Sequence, residues 1–91
     1  MRILVLNSGS SSLKYEVFDL GEGAERSLAG GLIEGIGEPS GAMHAVVQTP
    51  DGPQTEDVEQ PFEDHHTGMA AVMDHLSTRG LLRGLSAVGH R

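Results

Sequence analysis

Cysteine and tryptophan are missing from this 91-residue sequence, and lysine occurs once, at Lys14. Without cysteine there can be neither a disulfide framework nor a thiolate metal site, which agrees with a cytoplasmic protein. A net charge of −7 with a single lysine opposes the phosphate backbone of nucleic acids and the anionic face of membranes, so neither is an expected partner. Long apolar runs are lacking too. Ile3 to Leu6 falls far short of the ~7–15 residues of a secretory leader's apolar core, and nothing reaches the ~18 of a membrane span. Two Phe and one Tyr leave the core to aliphatic side chains, and the length allows one small domain but not a second.

What is present is a clear order of elements. Ile3-Leu4-Val5-Leu6 is short and continuously apolar, the pattern of a strand buried on both faces at the centre of a sheet. Asn7-Ser8-Gly9-Ser10 reads as a turn. Leu13, Tyr15 and Val17 then alternate with Lys14, Glu16 and Phe18 as in a half-buried strand, and the short link makes the pair an antiparallel hairpin. Turn signals at Asp19 to Gly23 precede a third strand over Arg26 to Ile36, weakened by glycines at 30, 31 and 35. His44 to Thr49 and Gln54 to Gln60 flank Pro50-Asp51-Gly52-Pro53 and predict a surface hairpin. One helix follows Pro61-Phe62, because Met69, Val72, Met73 and Leu76 fall at i, i+3, i+4 and i+7, with Asp64 placed as N-cap and Gly80 as the stop. Leu85 to Arg91 reads as a strand returning to the sheet. The whole predicts an α/β fold with a mixed sheet whose first strands are antiparallel.

The first turn carries the chemistry. Phosphate oxygens need several short-range donors and a close backbone approach, which glycine and serine supply at little steric cost. If the chain is extended from Ser10 onward, Ser10, Ser12 and Lys14 share a face, two hydroxyls and an ammonium in a row. A plain hairpin turn with a solvated Lys14 is the competing reading. A Walker loop is excluded, since Leu13 and Tyr15 stand where glycine and Ser/Thr are needed, and a strand rather than a helix follows.

The string Asn7-Ser-Gly9-Ser10-Ser-Ser12-Leu-Lys14 after Ile-Leu-Val-Leu resembles the N-terminal signature of acetate kinases and their propionate and butyrate kinase relatives. Val88-Gly89-His90-Arg91 resembles the family's Gly-His-Arg segment at a fitting distance. The resemblance implies a ribonuclease-H-like fold, shared with actin, sugar kinases and Hsp70 ATPases, of which residues 1–91 would be the first part of the first of two domains. It implies phosphate transfer between ATP and acetate, giving ADP and acetyl phosphate, with Mg²⁺ or Mn²⁺ and a homodimer in the complete protein.

By the same resemblance Asn7 lies beside the nucleotide phosphates and the metal, and Ser10, Ser12 and Lys14 belong to the phosphate loop. Asn7 is neutral where related ATPases place an aspartate, which leaves metal ligation to carboxylates outside this sequence. Arg91 matches the arginine that meets the acetate carboxylate or acetyl phosphate, a task suited to the planar guanidinium fork. His90 is read as structural. No catalytic residue falls within residues 1–91, so this stretch alone is expected to be inactive. The alternatives are a propionate or butyrate kinase and a non-catalytic phosphate-binding or interaction module.

The remaining polar residues point to no second site. His65, His66 and His75 lack metal-ligand spacing and read as solvated or capping groups. Glu56, Asp57 and Glu59 read as an acidic surface, and Met69 and Met73 as core.

Overall fold

Across residues 1–21 and 23–90, the part described by the computed structural model, six strands and one helix follow one another in the expected order. Strands β1 (Arg2–Ser8), β2 (Ser12–Gly21), β3 (Ala24–Glu34), β4 (Ala42–Thr49) and β5 (Gly52–Glu59) precede helix α1 (His65–Thr78) and strand β6 (Leu85–His90). They form one sheet in the order β5-β4-β3-β2-β1-β6. The first five pair antiparallel with their neighbours in sequence, and β6 joins β1 in parallel.

The period-two pattern fixes the layering. Leu4 and Leu6 of β1, Leu13, Tyr15 and Val17 of β2, Ala29 and Ile33 of β3, and Met43 and Ala45 of β4 are buried on one face. The register aligns them, with Leu6 opposite Tyr15, Val17 opposite Ala29 and Ile33 opposite Met43. Helix α1 lies on that face through Val72 and Leu76, with Met69 and Met73 partly buried beside them. Gly68 faces that contact, and a Cβ there would stand 3.5 Å from Ile33 Cδ1 and Ile36 Cδ1, ordinary contact distance, so a methyl would fit. Asp64 caps the helix by accepting from the Thr67 amide at 2.8 Å, and Gly80 follows its end at φ 70°, where a glycine suits the left-handed turn. Arg2 Nη1 donates to the Arg83 carbonyl at 2.7 Å, fastening the turn beyond α1 to the start of β1.

Four expectations need correction. The first strand is interior in the sheet, but only its α1 face is buried, because the described residues contain no element over the other; Ile3 and Val5 remain half-buried. The hairpin of β4 and β5 is not a surface appendage. Strand β4 extends the main sheet and sends Met43 and Ala45 into the core, a pairing set by contact with β3 that the local pattern does not encode. Pro53 is tolerated because β5 is an edge strand. The core is not purely aliphatic either: Tyr15 and Phe62 are its largest fully buried side chains. Glu56 is exposed, as an acidic surface implies, and also pairs with Arg79, the C-cap residue of α1, joining the helix end to β5.

The fourth correction is His75, which is no solvated group. It is 9% exposed on the helix's inner face, with Nε2 lacking a partner among the described residues and Nδ1 3.9 Å from Glu56 Oε2. Burial, reinforced by the Arg79 charge, lowers its pKa. The Tyr15 hydroxyl is also buried without a described partner, and burial pushes it up to about 12.

Candidate functional site

Strands β1 and β6 are the parallel neighbours of this sheet, and their carboxyl ends lie side by side, with Leu6 opposite His90. In open α/β sheets such ends are where ligands collect. Beyond β1 the chain turns back through residues 9–11 into β2. The Gly9 amide donates to the Ser12 carbonyl at 2.9 Å, closing a tight link with Ser10 and Ser11 at its tip.

Two carbonyls of the link are held from outside. Ile36 N donates to the Ser11 carbonyl at 2.9 Å, and His65 Nε2 lies 2.7 Å from the Gly9 carbonyl. The amides of Ser10 and Ser11 donate to no other described residue. Both serines are exposed. A small, rigidly held turn with free backbone donors is a suitable seat for an anion.

Asn7 and Lys14 are direct cross-strand partners at the base of this turn. With Val5, Glu16 and Phe18 they line a depression of about 130 Å³ on the sheet face that α1 does not cover. Lys14 is exposed and forms no ion pair among the described residues, so its charge is available to a ligand. A larger hollow of about 640 Å³ lies beyond the ends of β3 and β4, but Glu34, Glu38 and Glu59 wall it and oppose an anionic guest.

The sequence-predicted residues are thus placed as follows. Asn7, Ser12 and Lys14 stand at the junction of β1 and β2, while Ser10 sits on the tip rather than in a strand row. Extension begins only at Ser12, because residues 10 and 11 make the bend. Ser12 Oγ lies over Gly9, where a Cβ would come within 2.8 Å of it and the serine side chain would have to turn aside. Arg91 lies outside the described residues; His90, just before it, is exposed at the end of β6.

For a divalent cation the donors here are a neutral amide at Asn7 and hydroxyls. Among the described residues no group of three or more His, Asp or Glu gathers to hold a metal. That donor set fits a cation carried in on phosphate oxygens and water, not a protein-built cage.

Sequence reasoning missed His65 and Glu16. Glu16 was visible as sharing the parity of Lys14, but its place opposite Val5, in the depression that Asn7 also lines, depends on register. His65 follows the cap residue directly, and only the fold brings it to Gly9, 56 positions away.

Comparisons with known proteins agree with this geometry. The sequence model of the Acetokinase family matches residues 2–91. An acetate kinase of Nitratidesulfovibrio vulgaris (strain DP4) is 39% identical, over 100% of this chain and 24% of its own length. One from Streptomyces coelicolor is 45% identical over 99% of this chain and 22% of its own. The chain therefore spans about a quarter of the length of the curated relatives it matches. Among solved structures, Porphyromonas gingivalis acetate kinase superposes with a TM-score of 0.79 at 27% identity, covering 99% of this chain and 23% of that one. A propionate kinase from Francisella tularensis subsp. tularensis gives 0.74 at 27% identity, covering 99% and 22%. The ribonuclease-H-like α/β class expected from the sequence stands, and with a matching family model across nearly its whole length the chain belongs to the acetokinase family.

Proposed function

We propose that residues 1–91 form the first part of the first actin-like domain of a cytoplasmic acetate kinase and supply part of its phosphate site. The observation that carries this is the turn after β1: free Ser10 and Ser11 amides above, and the Asn7–Lys14 pair below with no competing ion pair among the described residues. In the reaction an acetate oxygen attacks the terminal phosphorus of ATP. The new bond is acetate oxygen to phosphorus, the bond to the β-phosphate oxygen breaks, and ADP leaves. The nucleophile is already ionised, so no general base is needed.

Lys14 offsets charge on the phosphates, Ser10 and Ser12 with the turn amides orient them, and the amide of Asn7 stands beside them. Mg²⁺ or Mn²⁺ arriving with the nucleotide would neutralise further phosphate charge. Arg91 is assigned to the acetate carboxylate on the strength of the Gly-His-Arg resemblance.

Coupled measurement of ADP formation by the complete gene product, with acetate and propionate compared, tests the reading. Preference for acetate is expected. Preference for propionate would move the assignment to the activity in the name of the Francisella relative, and no turnover with either would reject a carboxylate kinase.

A further inference from the structure

We propose that His65 is a positioning residue for the phosphate turn, holding the Gly9 carbonyl so that the Ser10 amide faces the nucleotide; the inference rests on the phosphate reading above. The Gly9 carbonyl can only accept, so Nε2 of His65 must be the donor across 2.7 Å. That fixes the ring with its proton on Nε2. In a trans peptide the carbonyl and the next N–H point in opposite directions, and there is no cis bond among the described residues. Drawing the Gly9 oxygen toward α1 therefore turns the Ser10 N–H away from the helix, toward the open side of the turn.

The surroundings make His65 a fixed post. It is the first residue of α1, directly after Asp64, whose carboxylate accepts from both the amide and the hydroxyl of Thr67 at 2.8 Å. Those two bonds also lower the Asp64 pKa, so the cap persists through the neutral range. On the other side, Phe62 is fully buried and its carbonyl accepts from Gly37 N at 2.7 Å. Ile36, one residue earlier, donates to Ser11. Gly9 and Ser11 are thereby tied, by separate routes, to the segment from Phe62 to His65. The turn is clamped at both carbonyls, and its serine side chains remain exposed. A histidine at a helix start needs no such bond for stability. Its use here is orientation of a peptide plane.

The test uses the complete gene product and ATP as probe. Calorimetric ATP affinity is expected to fall about tenfold in H65A, the scale of one net hydrogen bond, while acetate affinity stays as in the wild type. H65Q, which retains an N–H to give, is expected to recover most of the loss. Unchanged ATP affinity in H65A overturns the proposal, as does parallel loss of ATP and acetate affinity that follows a drop in Tm and is not recovered by glutamine. Should H65A fail to fold, ¹⁵N spectra of the wild-type imidazole decide: a proton on Nε2 supports the proposal and one on Nδ1 overturns it. K14A, run alongside, separates the two levels. ATP affinity unchanged in K14A rejects the phosphate reading together with the proposal, whereas a weakened K14A beside an unaffected H65A rejects the proposal alone.

Discussion

On the face that α1 covers, β2 contributes Leu13, Tyr15 and Val17, all buried; on the other face the same strand presents Lys14, Glu16 and Phe18, exposed or half-buried. One residue apart along one strand, neighbouring side chains answer to different demands. The covered face is filled to contact, so its tolerance is set by volume. The open face carries the charges and the proposed anion seat, so substitutions there should alter binding while leaving the fold intact. The difference is sharp enough to break experimentally.

The largest stability effect is expected at Gly31, on the covered face. Tyr15 lies directly over it across the strand pair, and an added Cβ would stand 2.5 Å from the His44 carbonyl and 2.6 Å from the Tyr15 ring and hydroxyl. Gly31→Ala must push Tyr15 or the backbone aside, at a cost of about 1–3 kcal/mol. Chemical denaturation should record that loss. A neutral result would mean that the covered face is looser than its contacts indicate.

Lys14 tests the opposite face. K14A removes a charge-assisted contact worth about 1.5–3 kcal/mol, so ATP affinity should fall roughly ten- to a hundredfold. Its denaturation midpoint should stay close to the wild type, since Lys14 is exposed and unpaired among the described residues. Loss of stability in step with affinity would erase the distinction between the faces.

A smaller effect, of opposite sign, is expected at Gly68. The position is helical, and the space beside it would receive a methyl at 3.5 Å from Ile33 and Ile36 without overlap. Gly68→Ala should stabilise by about 0.5–1 kcal/mol through reduced chain entropy, raising Tm by a few degrees.

These contrasts also explain what could be read from the sequence. Period-two alternation in β2, the apolar spacing of α1 and the Asp64 and Gly80 signals are local, and each element appeared where they indicated. The addition of β4 to the main sheet, the Glu56–Arg79 pairing and the burial of His75 depend on partners distant in sequence. At the candidate site, Asn7, Ser12 and Lys14 were legible because they flank one turn. His65 was not, since nothing near it in sequence specifies Gly9 as its partner.

The smallest expected effect sets one histidine from each side against the other in a pH titration. His44, on the open face, has its pKa raised, mainly by its 2.7 Å hydrogen bond to Asp57 and then by the nearby charges of Asp57, Glu34 and Glu59. Its contribution to stability is therefore complete below the ordinary histidine value of about 6.5 and is lost as pH rises through the folded value. His75, on the covered face, has its pKa lowered by burial and Arg79, against the opposing influence of Glu56 and Asp74. Below about 6.5 the unfolded chain takes up a proton that the folded protein refuses, so stability falls as pH drops toward the folded value. Thermal midpoints between pH 5 and 8 should thus describe a shallow dome. H44Q should flatten its alkaline limb, and H75L its acid limb. Because His44 is exposed, the alkaline limb should be the shallower and should weaken further in high salt, whereas the acid limb, set mainly by burial, should persist. An acid limb as salt-sensitive as the alkaline one would place His75 in a solvated environment and remove the contrast between the two faces.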